Sequence, residues 1–495
     1  MLFSEILEKS QISSSDFRDV EISSLETDSR IVGPGSVFVA LDGRTNRGLD
    51  FVPEAIERGA RAIVVDERYS YRDDRVTIIS VKNPREELVR MLKKFFNGEF
   101  PEHMMAVTGT QGKTSVVEFI RQIMAGLGYS CASIGTLGLI CGTERIKENT
   151  LTMPEIVDLY RTLNSLKKRS VDFLSMEVTS QGLDTNRFDG IKVQMAGVTN
   201  IYNHEHLDHH GSIENYFACK MKLFQEHCLE GATVVLNPDS NFYGAMRSIC
   251  EDRNYRVLTF GHSASADVRI LESTAAANGL EQIEFRAFGR VYRTNTRLFG
   301  GFQAINLMNA LTFVYGLALD RSLDEIVETL ETVEAAEGRM KFVAETRKGG
   351  RVYIDYAHTP SAFEIVLGVV REHLRKIGNG KLLCLFGAGG DRDRTKRPLM
   401  GKVAQELSDI VILADDNPRT EDPEAIRADI LSGCDGNGNP VHNFRGSREG
   451  AIEFALGLLG KDDILLVLGK GHENYQLTRE GKHHFSETEI ILRNI

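Results

Sequence analysis

A glycine-punctuated turn between two apolar patterns is the segment of this sequence best suited to bind phosphate. Residues 104–119 read MMAVTGTQGKTSVVEF, and Lys113 follows the second glycine directly. Glycines let backbone N–H groups turn inward, and the N-terminus of a following helix attracts an anion. Lys113 adds a point charge for β- and γ-phosphates, and the Thr114 hydroxyl can ligate Mg²⁺. The residues predicted to bind a nucleotide are Gly109, Thr110, Gln111, Gly112, Lys113, Thr114 and Ser115.

The spacing of this turn is shorter than that of the Walker A motif, G-x-x-x-x-G-K-[ST], because Val107 stands where the first glycine is expected. Two glycines alone would favour a simple turn with a solvated lysine. The apolar run before the turn, the helical pattern after it and the K-T-S sequence favour nucleotide binding instead.

A carboxylate and a histidine-rich segment follow two further apolar runs. Glu177 lies at the end of VDFLSMEV (171–178), where α/β sheets place ligand-binding residues. His204, His206, His209 and His210 lie within seven residues. They could hold zinc or lie on a solvated loop, but the nearby carboxylates favour a hard cation such as Mg²⁺.

Three loops near the C-terminus each follow an apolar run, and together they predict a site for an acidic substrate. FGAGGDRDRTKRPLMG (386–401) is rich in arginine and lysine, and these side chains suit carboxylates. ADDNPRTEDP (414–423) and LGKGHENYQ (468–476) follow two further runs. Each loop alone could be a structural turn. Strands that end at one edge of a sheet would bring all three together.

Apolar runs that alternate with amphipathic stretches predict an α/β fold with mostly parallel sheets. In 115–129, Val116, Ile120, Ile123 and Leu127 recur at helical spacing. Polar stretches at 96–105 and 333–342 suggest domain boundaries. We predict a small N-terminal α/β domain (1–99), a central ATP-binding domain with a phosphate loop (100–337) and a Rossmann-like C-terminal domain (338–495).

Composition narrows the class of protein. A chain of 495 residues is too long for one hydrophobic core. Its net charge of −11 argues against a surface that binds nucleic acid or anionic membranes. The seven cysteines are scattered without a C-x-x-C pair, which is typical of a reduced, cytosolic chain. No signal peptide or membrane span is evident, so we expect a cytoplasmic protein.

These motifs together resemble those of the Mur ligase family, the ATP-dependent enzymes that build the stem peptide of peptidoglycan. The resemblance rests on T-G-T-x-G-K-T-S, on H-L-D-x-H-G followed by Y-x-x-x-K, and on D-N-P-R and G-K-G-H-E in that order. It implies a monomer that uses ATP and Mg²⁺. The implied reaction adds meso-2,6-diaminopimelate to the D-Glu γ-carboxylate of UDP-N-acetylmuramoyl-L-Ala-D-Glu through an acyl phosphate.

The resemblance also implies a role for each matched position. Catalytic residues would be Lys113, Glu177, His206 and a carbamylated Lys220, and the metal ligands would be Thr114, Glu177, His206 and the carbamylated Lys220. Further ATP contacts would be Asn306, Arg339, Asp355 and His358. The UDP-substrate would contact Thr27, Ser29, Arg44, Thr45, Asn46, Thr152, Met153, Thr179, Thr185 and Arg187. Diaminopimelate would contact Arg392, Asp416, Asn417, Pro418, Arg419, Gly469 and Glu473.

Two departures from the family pattern stand out. Gln111 replaces a frequent asparagine, and Met153 replaces a threonine, so that a backbone contact but no hydroxyl contact survives there. Three alternatives remain: the same ligase with L-lysine, a folylpolyglutamate synthetase-like ligase, and a nucleotide-gated binding protein without turnover. The D-N-P-R sequence favours diaminopimelate, because an arginine can pair with the second carboxylate that lysine lacks.

Overall fold

The computed structural model describes residues 1–8, 17–43, 46–148, 151–202, 207–275 and 281–495. Over these residues the chain forms three α/β units and a short C-terminal hairpin. The α/β architecture with mostly parallel sheets agrees with the prediction. No helix among the described residues is both long enough and apolar enough to cross a lipid bilayer.

The N-terminal unit is a four-stranded parallel sheet in the order β1-β2-β3-β4. Its strands are β1 (Ser24–Glu26), β2 (Ser36–Val39), β3 (Ala62–Asp66) and β4 (Thr77–Val81), and its helices are α1 (Val52–Glu57) and α2 (Pro84–Phe95).

The central unit holds an eleven-stranded sheet whose middle is parallel. Its strands are β5 (His103–Thr108), β6 (Cys131–Gly135), β7 (Gly138–Cys141), β8 (Glu144–Lys147), β9 (Phe173–Glu177), β10 (Val193–Val198), β11 (Cys228–Leu236), β12 (Arg256–Gly261), β13 (Val268–Ala275), β14 (Glu281–Ala287) and β15 (Arg290–Thr296). Their order is β15-β14-β13-β12-β11-β10-β5-β9-β6-β7-β8. β13–β15 and β6–β8 form antiparallel extensions at the two ends of the sheet.

Helices cover both faces of this sheet, because its strands are apolar on both sides. Met104 and Ala106 of β5 lie in one hydrophobic cluster, and Met105 and Val107 lie in another. The helices are α3 (Lys113–Gly126), α4 (Ile156–Lys168), α5 (Ser180–Asp184), α6 (Leu207–His210), α7 (Ile213–Glu226), α8 (Tyr243–Asp252), α9 (Gly301–Gly316) and α10 (Leu323–Thr329).

The C-terminal unit is a six-stranded sheet in the order β16-β17-β21-β18-β19-β20, followed by the hairpin β22-β23. Only β16 pairs antiparallel within this sheet. The strands are β16 (Lys341–Glu345), β17 (Arg351–Asp355), β18 (Leu382–Phe386), β19 (Ile410–Leu413), β20 (Val441–Asn443), β21 (Ile464–Leu468), β22 (Tyr475–Thr478) and β23 (Gly481–His484). The helices are α11 (Pro360–Ile377), α12 (Lys396–Leu407), α13 (Pro423–Leu431), α14 (Arg448–Leu458) and α15 (Glu487–Arg493).

The apolar runs singled out in the sequence are strands, and the periodic segment after the glycine turn is the helix α3. Val116, Ile120, Ile123 and Leu127 are all buried, as their spacing predicts. Each sheet lies within one of the three predicted ranges. The positions of the domain boundaries themselves stay predictions.

Candidate functional site

The glycine turn joins β5 to α3, and its two glycines occupy conformations that side chains would obstruct. Gly109 and Gly112 have φ of 144° and 82°. A Cβ at position 109 would lie 2.0 Å from Oγ1 of Thr199, and one at position 112 would lie 2.5 Å from Oδ1 of Asn306. The loop is therefore packed against β10 and α9 at positions where only glycine fits.

Residues at the end of β10 hold this loop by its backbone. Asn200 accepts a hydrogen bond from the backbone N–H of Gln111 at 2.9 Å and donates one to its carbonyl at 3.1 Å. The hydroxyl of Tyr216 on α7 lies 3.1 Å from that of Thr110. These bonds explain why glutamine is tolerated at position 111, since they use its main chain. The sequence interpretation missed Asn200, although its place after an apolar strand could have identified it.

Two lysine ammonium groups meet at this loop. Lys113 Nζ donates to the carbonyls of Gly109 and Thr110, both at 2.9 Å. Lys220 on α7 is 1% exposed, and its Nζ donates to the same Gly109 carbonyl at 2.8 Å. It also lies 4.5 Å from the centre of the Tyr216 ring. Lys220 is thus a buried residue beside the phosphate loop and not a surface lysine of its helix.

Glu177 at the end of β9 faces the same space through a network of hydroxyl groups. Its Oε1 accepts from the backbone N–H of Thr136 at 2.7 Å, and its Oε2 lies 3.3 Å from the Thr136 hydroxyl. That hydroxyl also lies 3.4 Å from Oγ1 of Thr114 and 3.2 Å from Oγ1 of Thr152. Thr136 was missed by the sequence interpretation, although it directly follows β6.

The oxygen atoms of Thr114 and Glu177 are suitable ligands for a hard divalent cation. Burial of Glu177, which is 3% exposed, makes a compensating positive charge favourable at this place. The described residues contain no group of three histidine, cysteine or acidic side chains arranged around a common point. His204 and His206 lie outside the described residues, so the structure does not test the alternative of zinc or the predicted role of His206.

The other two histidines of this segment line the cavity from α6. Nε2 of His209 lies 3.2 Å from Oδ2 of Asp184, and Nε2 of His210 lies 3.1 Å from Oγ of Ser180. Both partners belong to α5, which begins three residues after β9 ends. These contacts tie the histidine segment to the strand end that carries Glu177.

A cavity of about 730 Å³ extends from the phosphate loop to the C-terminal unit. All the predicted nucleotide contacts and several of the predicted UDP-substrate contacts line it. Its lining includes Gly109, Thr110, Gln111, Gly112, Lys113, Thr114, Ser115, Thr152, Met153, Glu177, Thr179, Arg187, Lys220, Asn306, Arg339, Asp355 and His358.

Arg339 connects the two units across this cavity. Its NH2 group lies 3.3 Å from Oγ1 of Thr114, and its guanidinium lies 5.0 Å from the centre of the Tyr356 ring. Asn306 donates to Oε1 of Gln303 at 3.2 Å, and Gln303 in turn donates to the Arg339 carbonyl at 3.0 Å. The sequence interpretation assigned no role to Gln303.

Asp355 shapes the segment that links the central and C-terminal units. Its two carboxylate oxygens accept the backbone N–H groups of Met340 and Ala357, each at 2.7 Å. Burial raises the pKa of this carboxyl, while Arg339 and the two N–H groups act in the opposite direction. His358 lies at the exposed side of the cavity, where its Nδ1 is 2.8 Å from the Tyr356 carbonyl.

The residues matched to the muramoyl-dipeptide lie around α5 and the segment before α4. Arg187 donates to the carbonyl of Met153 at 3.3 Å, so the backbone of position 153 is used. The buried Met153 side chain packs against Gly182. A Cβ on Gly182 would lie 2.2 Å from the Met153 sulfur, so a side chain has no room there. The Thr179 hydroxyl caps α5 by accepting from Gly182 N. Thr185 donates to the Gln181 carbonyl and does not line the cavity.

The predicted uracil and diphosphate contacts lie apart from this cavity, in the N-terminal unit. Ser29 is buried, and its hydroxyl donates to Oε2 of Glu54 at 2.6 Å. Thr27 is half-buried, and Asn46 is exposed with its carbonyl accepting from Gly43 N. Arg44 and Thr45 lie outside the described residues. Among the described residues, Thr27, Ser29 and Asn46 are not part of the lining of the nucleotide cavity.

The loops predicted to bind the amino acid follow β18, β19 and β21, which are adjacent in the sheet. Arg419 has a φ of 53°, an uncommon conformation for a non-glycine residue, and its NH1 group donates to the Gly390 carbonyl at 2.8 Å. A Cβ on Gly389 would lie 2.8 Å from that NH1 group and 3.6 Å from Cγ of Arg392. The sheet order thus brings Arg392 and Arg419 together, as the sequence predicts.

Two other cations of the first loop, Arg394 and Arg397, have carboxylate partners within the fold. Arg397 is fully buried and binds Glu421 and Asp429 at 2.9 and 2.8 Å. Arg394 pairs with Asp429 as well, at 3.0 Å. Arg397 therefore joins the first loop to the second loop and to α13, and Arg394 joins it to α13.

The described chain matches three family descriptions in order. These are the Mur ligase family catalytic domain (residues 21–96), the Mur ligase middle domain (107–314) and the Mur ligase glutamate ligase domain (338–471). A relative from Mesorhizobium japonicum is 38% identical over 96% of this chain and 94% of its own length. The chain belongs to the Mur ligase family.

The names of similar proteins narrow the comparison for this Mur ligase. The Mesorhizobium relative is called UDP-N-acetylmuramoyl-L-alanyl-D-glutamate–2,6-diaminopimelate ligase, and so is one from Caulobacter vibrioides that is 37% identical over 96% of both chains. A solved structure of a ligase with that name superposes with a TM-score of 0.66 at 29% identity. It covers 96% of this Mur ligase and 94% of the solved chain.

Proposed function

We propose that this Mur ligase joins meso-2,6-diaminopimelate to the D-Glu γ-carboxylate of UDP-N-acetylmuramoyl-L-Ala-D-Glu with consumption of ATP, in the synthesis of peptidoglycan precursors. The observation that carries the proposal is the continuous cavity in which the phosphate loop, Glu177 and the residues matched to the muramoyl-dipeptide face one another. The full-length similarity to ligases of this name supports the choice of substrates.

The chemistry requires the γ-carboxylate to become a better acyl donor. Transfer of the terminal phosphoryl group of ATP makes an acyl phosphate, and attack by the diaminopimelate amine passes through a tetrahedral intermediate that expels phosphate. Lys113 and the N-terminus of α3 stabilise negative charge on the transferred group. Thr152, Met153 and Arg187 hold the dipeptide so that its carboxylate faces the phosphate loop.

A bound Mg²⁺ would offset the charge of the phosphates, and Thr114 and Glu177 would hold it. We propose that His206 and a carbamylated Lys220 complete this set. Carbamylation converts the buried ammonium into an anion, which removes a positive charge from beside a cation site. The 2.8 Å contact of Lys220 with Gly109 shows that this side chain reaches the phosphate loop.

The amino-acid substrate is proposed to bind at the loops after β18, β19 and β21. Arg392 and Arg419 would pair with the distal carboxylate, while Asp416, Asn417, Pro418, Gly469 and Glu473 would surround the distal centre. Asp416 and Asn417 are buried, so an unpaired charge there would be costly. That cost favours a substrate with both a carboxylate and an ammonium at its far end.

A direct test measures ADP formation by the purified protein with ATP, Mg²⁺ and UDP-N-acetylmuramoyl-L-Ala-D-Glu, with and without meso-diaminopimelate. We expect ADP to form only when both substrates are present. In Lys113→Ala the rate should fall by about 10² to 10³, the range found for the loss of one donor to a developing negative charge. No stimulation of the wild-type protein would favour a nucleotide-gated binding protein.

The lysine alternative requires a second arm of the same assay. L-lysine replaces diaminopimelate at equal concentration, and we expect a kcat/KM at least 10³ lower because Arg392 and Arg419 would lack their carboxylate partner. ADP formation with lysine alone would overturn the choice of substrate. Stimulation by L-glutamate would indicate folylpolyglutamate synthetase-like chemistry. Cytoplasmic location and a monomeric state stay predictions.

A further inference from the structure

Lys470 is a fully buried lysine that the proposed reaction leaves without a role. It follows Gly469 in the loop after β21 and is 0% exposed. Its Nζ donates to Oδ1 of Asn417 at 3.1 Å and to Oε2 of Glu473 at 3.3 Å. Lys470 therefore joins the loop after β19 to the loop after β21 through buried hydrogen bonds.

The two carboxylate oxygens of Glu473 differ in their hydrogen-bond partners. Oε2 accepts from Lys470 and also from Nδ2 of Asn417 at 2.7 Å. Oε1 has only a long contact among these loops, 3.4 Å from the Tyr475 hydroxyl. Protein donors thus fix one oxygen, and the other retains capacity for a donor from a ligand.

The hairpin β22-β23 encloses this arrangement. Leu477 N donates to Oδ1 of Asn417 at 2.9 Å, and Nε2 of Gln476 donates to the Asp416 carbonyl at 2.7 Å. The Lys470 ammonium lies 5.6 Å from the centre of the Tyr475 ring and 5.8 Å from that of Phe485. The Lys470 ammonium is therefore buried beside these two rings, and Asn417 and Glu473 are its hydrogen-bond partners.

We propose that Lys470 is a positioning residue that holds Oε2 of Glu473 and thereby presents Oε1 to the distal ammonium of the amino-acid substrate. The inference deepens the proposed function and rests on it. Lys470 is too deeply buried to touch the substrate itself. Without the Lys470 ammonium, Oε2 of Glu473 would lose one of its two donors, and Asn417 would keep only its direct bonds with Glu473 and Leu477.

The test compares Lys470→Met with the wild-type protein and uses two amino acids. One is meso-diaminopimelate, and the other is 2-aminopimelate, which keeps the distal carboxylate but lacks the distal ammonium. For Lys470→Met we expect the KM for diaminopimelate to rise at least tenfold, while the KM for ATP changes less than twofold. The preference for diaminopimelate over 2-aminopimelate in kcat/KM should fall at least tenfold, because only the ammonium contact is weakened.

Lys482→Met is the matched control. Lys482 is exposed on β23, and its Nζ lies 4.1 Å from the centre of the same Tyr475 ring. It contacts the hairpin, and among the described residues it forms no hydrogen bond or ion pair with Glu473. The substitution removes the same charge from the same ring, and we expect the substrate preference to change less than twofold.

Lys470→Gln keeps the experiment decisive if Lys470→Met does not fold, as judged by circular dichroism. Its amide can still donate hydrogen bonds but carries no charge, so we expect a loss of preference smaller than that for methionine but still above threefold. An unchanged preference in the folded variant would overturn the inference and leave the proposed function intact. A wild-type protein that forms no ADP with diaminopimelate would overturn both.

Discussion

Glu177 holds its position because a glycine lies opposite to it. A Cβ on Gly135 would lie 2.2 Å from Oε1 of Glu177, and that oxygen accepts the backbone N–H of the next residue, Thr136. The carboxylate is thus set by the main chain at the end of β6. The same applies to Gly112, whose missing side chain leaves room for Asn306.

Gly135→Ala should therefore displace the Glu177 carboxylate without adding charge or polarity. We expect kcat for ADP formation to fall at least tenfold, with a smaller effect on the KM for diaminopimelate. Gly244→Ala in the same unit is the control, because nothing lies within 4 Å of the added Cβ. Equal activity of the two variants would contradict the proposed role of Glu177.

The charge that Lys220 carries during turnover can be read by chemical rescue. Lys220→Ala should lose activity, and a carboxylate such as acetate should restore part of it if the native group is a carbamate. Methylammonium should restore none. Rescue by methylammonium alone would indicate that the plain ammonium, which here donates to Gly109, is the active form.

At the scale of elements, the loops of the amino-acid site depend on a buried ion pair between α14 and α15. Arg448 and Glu487 are 1% and 2% exposed, and their side chains approach to 2.7 Å. Arg448 also donates to the carbonyls of Asp415 and Leu468, at 3.2 and 2.8 Å. These two residues directly precede Asp416 and Gly469, so one side chain fixes the start of both loops.

Arg448→Met should destabilise the C-terminal unit by about 3–5 kcal/mol, because it leaves Glu487 as an unpaired buried charge. Hydrogen exchange should accelerate first in the loops that begin at Asp416 and Gly469. The control is Arg493→Gln, which removes the exposed pair of Arg493 with Glu449 between the same two helices. That pair is expected to contribute little. Similar hydrogen-exchange rates in both variants would contradict the proposal that Arg448 fixes the start of both loops.

At the scale of the whole molecule, the C-terminal unit meets the phosphate loop across the cavity. The linking segment passes Gly338, which has a φ of 67° and whose Cβ would lie 2.4 Å from His472 N. Burial, together with Arg339 and Arg145, lowers the pKa of His472 to about 3, so its imidazole is neutral beside these cations at pH 7. The adjacent Arg339 reaches Thr114 across the cavity.

Gly338→Ala should shift this linking segment and the Arg339 side chain. We expect the KM for ATP to rise and kcat to fall, together at least tenfold in kcat/KM. Gly349→Ala separates backbone strain from the clash, since its φ of 86° is similarly unfavourable but its nearest neighbour is 3.4 Å away on a flexible lysine. A comparable loss in both variants would assign the effect to strain and contradict the prediction.

Strand-end positions account for most of what the sequence could predict. Apolar runs identified the strands, and polar residues at or just after their carboxyl ends identified candidate site residues, such as Glu177 in the central sheet and Asp416 in the C-terminal sheet. Thr136 and Asn200 obey the same rule and were still missed, because a single threonine or asparagine is common at strand ends. Lys470 could not be distinguished from a solvated loop lysine without its contacts.

The sequence by itself determined the α/β architecture, the phosphate loop and the residue types at the substrate site, because these depend on local spacing and on which side chains can carry charge. Only the tertiary structure separated the charges that pair within the fold from those that the proposed substrate would use. Arg397 and Arg419 lie in similar basic and acidic surroundings in the sequence. Burial against Glu421 and Asp429 makes Arg397 structural, while Arg419 lies at the strand ends, where its guanidinium donates to the backbone carbonyls of Gly390 and Asn417.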